Sequence, residues 1–378
     1  MLALKNFRPL FLIVVFLALF ILPTMASAAS KFTFVVLPDT QFYSSSYTDI
    51  FTKQTQWIVD NKKALNIKYV IHVGDIVDSP NNLTQWKNAD KALSVLDRAK
   101  IPYGVTAGNH DNNNGISNAN YSKYFNTSRF SKKNWFGKAY NKNNAYHYDL
   151  IRAGNYSFII MYVSYDQSAD VPISWIKNVI KTNPEKQVII VTHALLDGNG
   201  NILSSPNSVN AIRSLASEHK NVIMVLSGHM PISPYKIVHN VRGNAHEILQ
   251  DYQNEPKGGD GWLRIFTFDG NGKVVVQTYS PYLNKYGASF SFTLPQVSTP
   301  KFSLSTGSYT GSKKVSVTTT TSGDIIRYTL DGKTPTITSP KYTGKITIPA
   351  KKTTILKAKA WKLGMITSDT TTAKYIIK

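Results

Sequence analysis

The chain has 378 residues and no cysteine. Disulfides and thiolate ligands are therefore excluded, and any metal must be held by oxygen and imidazole. Acidic residues are scarce as well: 22 Asp and Glu stand against 43 Lys and Arg, a formal charge of +21. The surplus is uneven, since residues 297–378 carry 14 Lys/Arg against 3 Asp/Glu, a net +11. Such a surface is drawn to polyanions such as nucleic acid, anionic wall polymers or lipid head groups. No Arg-rich or aromatic-interleaved cluster accompanies it, so plain solubility stands as the alternative. The apolar run at residues 10–22 has 13 residues, short of the roughly 20 that span a bilayer. Lys5 and Arg8 precede that run and Ala26-Ser27-Ala28 follow it, which reads as an export signal over residues 1–28. A retained anchor is the other reading. The expectation is a mature chain from near Ala29, secreted or cell-wall associated, with no transmembrane span. About 350 mature residues suffice for two domains.

Apolar runs with strand character alternate with segments of helical period from Lys31 to about Val276. Leu83, Trp86, Ala89, Leu93 and Leu96, for example, recur at spacings of three and four. This alternation predicts a layered α/β domain with a largely parallel core. Residues 112–144 break the rhythm with Asn, Ser, Lys and aromatics, and form either a substrate-binding rim or a plain surface insertion. After Gly228 strand patterns take over, at residues 236–241, 247–250, 263–268 and 273–279. A boundary near Leu294-Pro295-Gln296 divides a catalytic unit, residues 29–296, from a module, residues 297–378. In that module short strands at 314–319, 325–330, 345–348, 354–360 and 372–377 suggest a β-sandwich.

Five of the apolar runs deliver oxygen or nitrogen ligands at their C-terminal ends. The run at 34–37 reaches Asp39-Thr40-Gln41, and that at 69–73 reaches Gly74-Asp75-Ile76-Val77-Asp78. The run at 103–106 reaches Gly108-Asn109-His110-Asp111. Residues 188–191 lead to His193, and residues 222–226 lead to Gly228-His229. Open α/β sheets place their ligand crevices at that edge. Asp39, Asp75, Asn109, His193 and His229 form a donor set suited to divalent ions of the Zn, Mn, Fe or Mg type. A carboxylate on a central strand can bridge two ions, and such a pair clamps a phosphoryl group; Asp75 is placed for it. Asn109 offers a neutral carbonyl oxygen. His110 is free to donate a proton to a leaving alkoxide. Asp78 is the first choice to orient that imidazole and Asp111 the second. A lone strand-end Asp or buried His would be an ordinary structural residue, so the ordered set carries the reading.

That set resembles the calcineurin-like metallophosphoesterase family over roughly residues 31–280. The family pattern is Asp-x-His, Gly-Asp-x-x-Asp, Gly-Asn-His-Asp/Glu, a lone His, then Gly-His-x-His. The resemblance implies two packed β-sheets flanked by helices, with Asp75 bridging two metals. Asn109, His193 and His229 would complete the second metal, and His110, steadied by Asp78, would act near the leaving group. Gln41 and Pro231 stand where the family has histidines, both of which serve the first metal. A Gln carbonyl still binds a cation, but it is neutral. The expectation is one or two divalent ions per chain, with a weaker first site biased to Mn, Mg or Ca. His239, His246 or Asp251 are the candidate substitutes, though none is in register with a motif. The Asp-Thr-Gln opening resembles a secreted bacterial branch of the family. There a segment like Asp251-Tyr252-Gln253, Gly258-Gly259 and Gly261-Trp262-Leu263-Arg264 follows the last metal histidine.

The tail, about residues 299–377, resembles the chitobiase/β-hexosaminidase C-terminal type of module, an immunoglobulin-like sandwich. Gly323-Asp324-Ile325-Ile326-Arg327-Tyr328-Thr329-Leu330-Asp331-Gly332-Lys333-Thr334-Pro335 carry the likeness. It holds no catalytic constellation, which leaves contact with cell-wall polymer or passive stabilisation. The whole reads as an exported phosphoric ester hydrolase, a phosphodiesterase or phosphatase. Its substrate would be a phosphorylated small molecule or an anionic polymer. The rival reading is a degenerate metallophosphoesterase that binds wall polymer or another polyanion.

Overall fold

The computed structural model describes residues 31–112, 119–166 and 171–378. The export signal read at residues 1–28 lies outside them. Two sheets dominate the first part of the chain. The first contains β1 (Phe32–Leu37), β2 (Ile67–His72) and β3 (Tyr103–Val105), which run parallel. The second contains β4 (Phe136–Ala139), β5 (Tyr146–Ala153), β6 (Tyr156–Val163), β7 (Gln187–Thr192), β8 (Val222–Ser227), β9 (His239–Arg242) and β10 (Ala245–Leu249), in the order β4-β5-β6-β7-β8-β10-β9. Strands β6, β7, β8 and β10 are parallel. The chain then returns to the first sheet with β11 (Leu263–Phe268), β12 (Lys273–Ser280) and β13 (Lys285–Thr293): β11 pairs antiparallel with β1, β12 with β11 and β13 with β12.

Period-two alternation explains why the parallel strands read as continuous apolar runs. On β1, Phe32, Phe34 and Val36 face the second sheet and pack with Phe158, Ile160 and Val191, while Val35 and Leu37 face α1 (Gln41–Ser45), α2 (Thr48–Asn61) and α3 (Leu83–Arg98). Asn82 caps α3, its side chain accepting from the backbone N–H groups of Thr84 and Gln85, and Trp86, Ala89, Leu93 and Leu96 line its buried face. The outer face of the second sheet is covered likewise by α6 (Ile173–Lys181) and α7 (Ser208–Glu218). The result is the expected pair of packed sheets flanked by helices.

The stretch read as a rim is in part core. Between β3 and β4, α4 (Ala119–Tyr124) and α5 (Thr127–Phe130) bury Tyr121, Phe125 and Phe130 beneath α3. Residues 113–118 of that stretch lie outside the described residues. Beyond β13 the chain is all-β, with several small sheets around their own cluster of Val315, Val317, Ile348, Leu356 and Tyr375. Ile366 leaves that region and joins the layer between the two large sheets. Among the described residues no helix is long and apolar enough to cross a membrane.

Candidate metal centre

The C-terminal ends of β1, β2, β3, β7 and β8 meet at one edge of the sheet pair, and the ligands predicted from the sequence lie just beyond them. His193 is the hub. Its Nε2 is 3.3 Å from Asp75 Oδ2, 2.9 Å from Asn109 Oδ1 and 3.2 Å from His229 Nδ1. Its Nδ1 is 3.0 Å from the carbonyl oxygen of Val73. A carbonyl has no proton to give, so Nδ1 carries the hydrogen and directs Nε2 at the other three groups. Carboxylate, amide oxygen and imidazole nitrogen all present lone pairs there, and one cation would satisfy them together. Asp75, His193 and His229 by themselves place ligand atoms within 4.8 Å of one another.

Close backbone approach makes this possible. A Cβ on Gly108 would lie 2.1 Å from Asp75 Oδ1, and one on Gly228 would lie 2.1 Å from Asp39 Oδ1. Asp75 and His229 adopt left-handed backbone, at φ +49° and +74°, which costs of order 1–3 kcal/mol each and marks a functional constraint. The Asp75 side chain is fixed by the backbone N–H of His110, 3.0 Å from Oδ1. Asp39 Oδ2 accepts from the N–H of His229 at 3.1 Å. Asp39 Oδ1 and Gln41 Oε1, both buried, have no hydrogen-bond partner among the described residues.

Charge follows the geometry. Burial pushes the Asp39 carboxyl well above the usual range, and Asp251 and then Asp75 add to the effect. Burial would raise Asp75 too, but the His193 imidazole outweighs it and the carboxyl sits below its ordinary value. Burial depresses His193, yet the Asp75 carboxylate, 3.3 Å from its Nε2, raises it overall. Burial, reinforced by His193, lowers His229 to about 4, which keeps it as the neutral ligand form at neutral pH.

His110 is half-exposed at the rim. Its Nδ1 is 2.7 Å from the Asp78 backbone carbonyl and 3.5 Å from the Asp78 carboxylate. The main chain of Asp78 therefore orients the ring more closely than its side chain does. Asp111, the second choice for that task, is turned elsewhere: its carboxylate accepts from the N–H groups of Ile76, Val77 and Gly108. His239 and His246 bond each other at 2.9 Å, and His246 stacks on Phe292. That engages them away from the ligands. Sequence reasoning gave no role to His72 or Tyr165. The Nδ1 of His72 accepts from Gly74 N–H, and its Nε2 meets Thr40 Oγ1 at 2.9 Å, joining the Asp39 and Asp75 loops. Tyr165, two residues beyond β6, packs its ring 5.9 and 5.7 Å from the rings of His193 and His229. A histidine ending a strand before Gly-Asp was a readable signal; nothing local marked Tyr165.

More than half of the sequence, residues 32–233, matches the profile of calcineurin-like phosphoesterases. The chain belongs to that family. Residues 304–372 match the chitobiase/beta-hexosaminidase C-terminal domain. A curated relative, the uncharacterized protein YvnB of Bacillus subtilis (strain 168), is 44% identical over 266 residues, covering 68% of this chain. This chain spans 20% of that protein's length. Similar solved structures include purple acid phosphatase PPD1 from yellow lupin (Lupinus luteus) seeds, at 13% identity and TM-score 0.47, covering 70% of this chain and 54% of that one. GAP50, the anchor in the inner membrane complex of Plasmodium, matches at 13% identity and TM-score 0.45, over 70% of this chain and 89% of that one. The His/Asp cluster lies within the matched segment and is the chain's candidate site for divalent metal.

Proposed function

We propose that the protein is an exported hydrolase of phosphoric esters, diester or monoester, with Asp39, Gln41, Asp75, Asn109, His193 and His229 as metal ligands. The observation that carries this reading is the convergence of Asp75 Oδ2, Asn109 Oδ1 and His229 Nδ1 on His193 Nε2. When bound there, divalent metal polarises the phosphoryl group and lowers the pKa of water. Water attacks phosphorus in line, the bond to the leaving oxygen breaks, and the phosphate leaves with no phospho-enzyme. The chain's residues set up that step. Val73 O fixes the tautomer of His193, and the backbone N–H groups of His229 and His110 hold the Asp39 and Asp75 carboxylates. The Asp78 carbonyl holds the Nδ1 proton of His110, which leaves Nε2 to pass a proton to the departing alkoxide. At 38% side-chain exposure His110 is reachable by substrate.

Residues 1–28 would be removed on export, residues 29–296 would carry catalysis, and the basic module, residues 297–378, would meet anionic wall polymer. Chromogenic phosphodiester and phosphomonoester substrates assayed with added Mn, Zn or Mg test the central claim. Turnover that Asn109→Ala or His110→Ala abolishes is expected. Absence of turnover with every divalent ion would favour the degenerate, polyanion-binding alternative, toward which Gln41, Pro231 and the +11 module point.

A further inference from the structure

We propose that Asp251 replaces the missing histidines and completes, with Asp39, Gln41 and Asp75, an all-oxygen cation site beside the imidazole-rich cluster. Sheet topology brings it there. Strands β8 and β10 are parallel neighbours with Ser227 opposite Leu249. His229 lies two residues past the end of β8, and Asp251 two residues past the end of β10. Gln250 N–H donates to Ser227 O at 2.8 Å and Ile232 N–H to Asp251 O at 2.9 Å, which locks the two strand exits together. Asp251 thus occupies a sixth strand tip at the ligand edge.

The side chain is fully buried. The exit of β8 that it flanks lies directly against Asp39, since a Cβ on Gly228 would meet Asp39 Oδ1 at 2.1 Å. Gln253 donates to both Asp251 oxygens, from the backbone N–H at 2.9 Å and from Nε2 at 3.0 Å. A carboxylate offers about four lone-pair positions, so this orients Asp251 and leaves capacity for a cation.

Two buried oxygens without partners point independently to a ligand. Asp39 Oδ1 and Gln41 Oε1 lie on residues 1% and 2% exposed, and a buried acceptor left unpaired costs about 1–3 kcal/mol. The chain after Asp251 closes against the helix that begins at Gln41. Gly261 N–H donates to the Tyr43 hydroxyl at 2.9 Å, and a Cβ on Gly258 would meet Phe42 Cβ at 2.3 Å. Three carboxylates and an amide oxygen make a hard donor set that favours Mn, Mg or Ca over Zn. The two histidines that might have served instead are paired with each other.

The inference rests on the metal-centre reading of the neighbouring cluster and not on which ester is cleaved. Full-length protein freed of metal with chelator and titrated with Mn, the free ion being followed by electron paramagnetic resonance, tests it. Two Mn ions per chain are expected, of which Zn displaces one. Asp251→Asn should weaken the Zn-resistant ion by more than the roughly 100-fold that loss of an outer-shell partner can reach, with the other ion retained. Circular dichroism confirms the fold, and Asp251→Ala repeats the comparison. One Mn ion per wild-type chain, or two retained by both variants, overturns the proposal. Phosphoester turnover by a chain holding a single ion overturns it while sparing the hydrolase reading. Two ions without turnover on any phosphoester do the reverse.

Discussion

Asp111 is bonded to Ile76: its Oδ1 accepts the Ile76 backbone N–H at 2.9 Å, across a fully buried gap between two loops. The same carboxylate takes the N–H groups of Val77 and Gly108 at 3.0 and 2.8 Å. One side chain thus ties the loop that presents Asn109 to the loop that presents Asp75, and it does so through backbone N–H groups.

Replacing it removes that tie. Asp111→Ala strands three buried N–H donors, which costs roughly 3 kcal/mol or more. Urea unfolding of the metal-free protein should show that loss, and Mn affinity should fall with it. A variant that melts like wild type would mean that the loops hold their positions without Asp111.

Gly108 tests the site without touching the core. Its absent side chain makes room for Asp75 Oδ1, which a Cβ would meet at 2.1 Å, with the Asp75 backbone nitrogen at 2.4 Å. Gly108→Ala must push Asp75 off its position, because the contact includes backbone that cannot rotate away. Metal binding and turnover are expected to drop by at least about 100-fold, in line with what a 1 Å misplacement costs, while far-ultraviolet circular dichroism stays unchanged. Wild-type metal affinity in Gly108→Ala would show that the loops tolerate the extra methyl group.

Much of this architecture was legible in the sequence for one physical reason. Strands buried on both faces read as unbroken apolar runs, so β1, β2, β7 and β8 and the ligands after them stood out. The parts that were not legible depend on partners distant along the chain. Strand β13 is half-exposed with an alternating pattern, Lys285–Thr293, and only its pairing with β12 makes it a strand. Tyr121, Phe125 and Phe130 were hidden in an Asn- and Lys-rich stretch because their burial is decided by α3. Asp251 belongs to no motif; its place at the edge follows from β10 lying beside β8.

The C-terminal all-β region is expected to stabilise the two-sheet part of the chain. Ile366 inserts into the layer between the large sheets, and Gln187 Nε2 and Thr367 Oγ1 bond across the junction to Met365 O at 3.1 Å and Asn155 O at 2.9 Å. Ile366→Ala should cost roughly 2–5 kcal/mol, and a chain ending at residue 296 should melt below the full chain. Equal melting temperatures for the two would show that the junction contributes nothing to stability.

A buried carboxyl between the sheets gives a pH signature. The Asp149 side chain accepts the Tyr69 hydroxyl, which also meets the Tyr162 hydroxyl at 3.0 Å, and Asp149 Oδ1 has no partner among the described residues. Burial pushes this carboxyl well above the usual range, with the Tyr69 hydrogen bond opposing only part of the effect. The folded chain therefore binds a proton at Asp149 that the unfolded chain releases near pH 4. Stability from this group is fully present below that value and declines as pH rises toward the folded-state value. Asp149→Asn keeps an oxygen for Tyr69 and removes the titration. Its melting temperature should match wild type at about pH 4 and exceed it increasingly toward pH 8, a divergence that parallel curves in a thermal series would disprove.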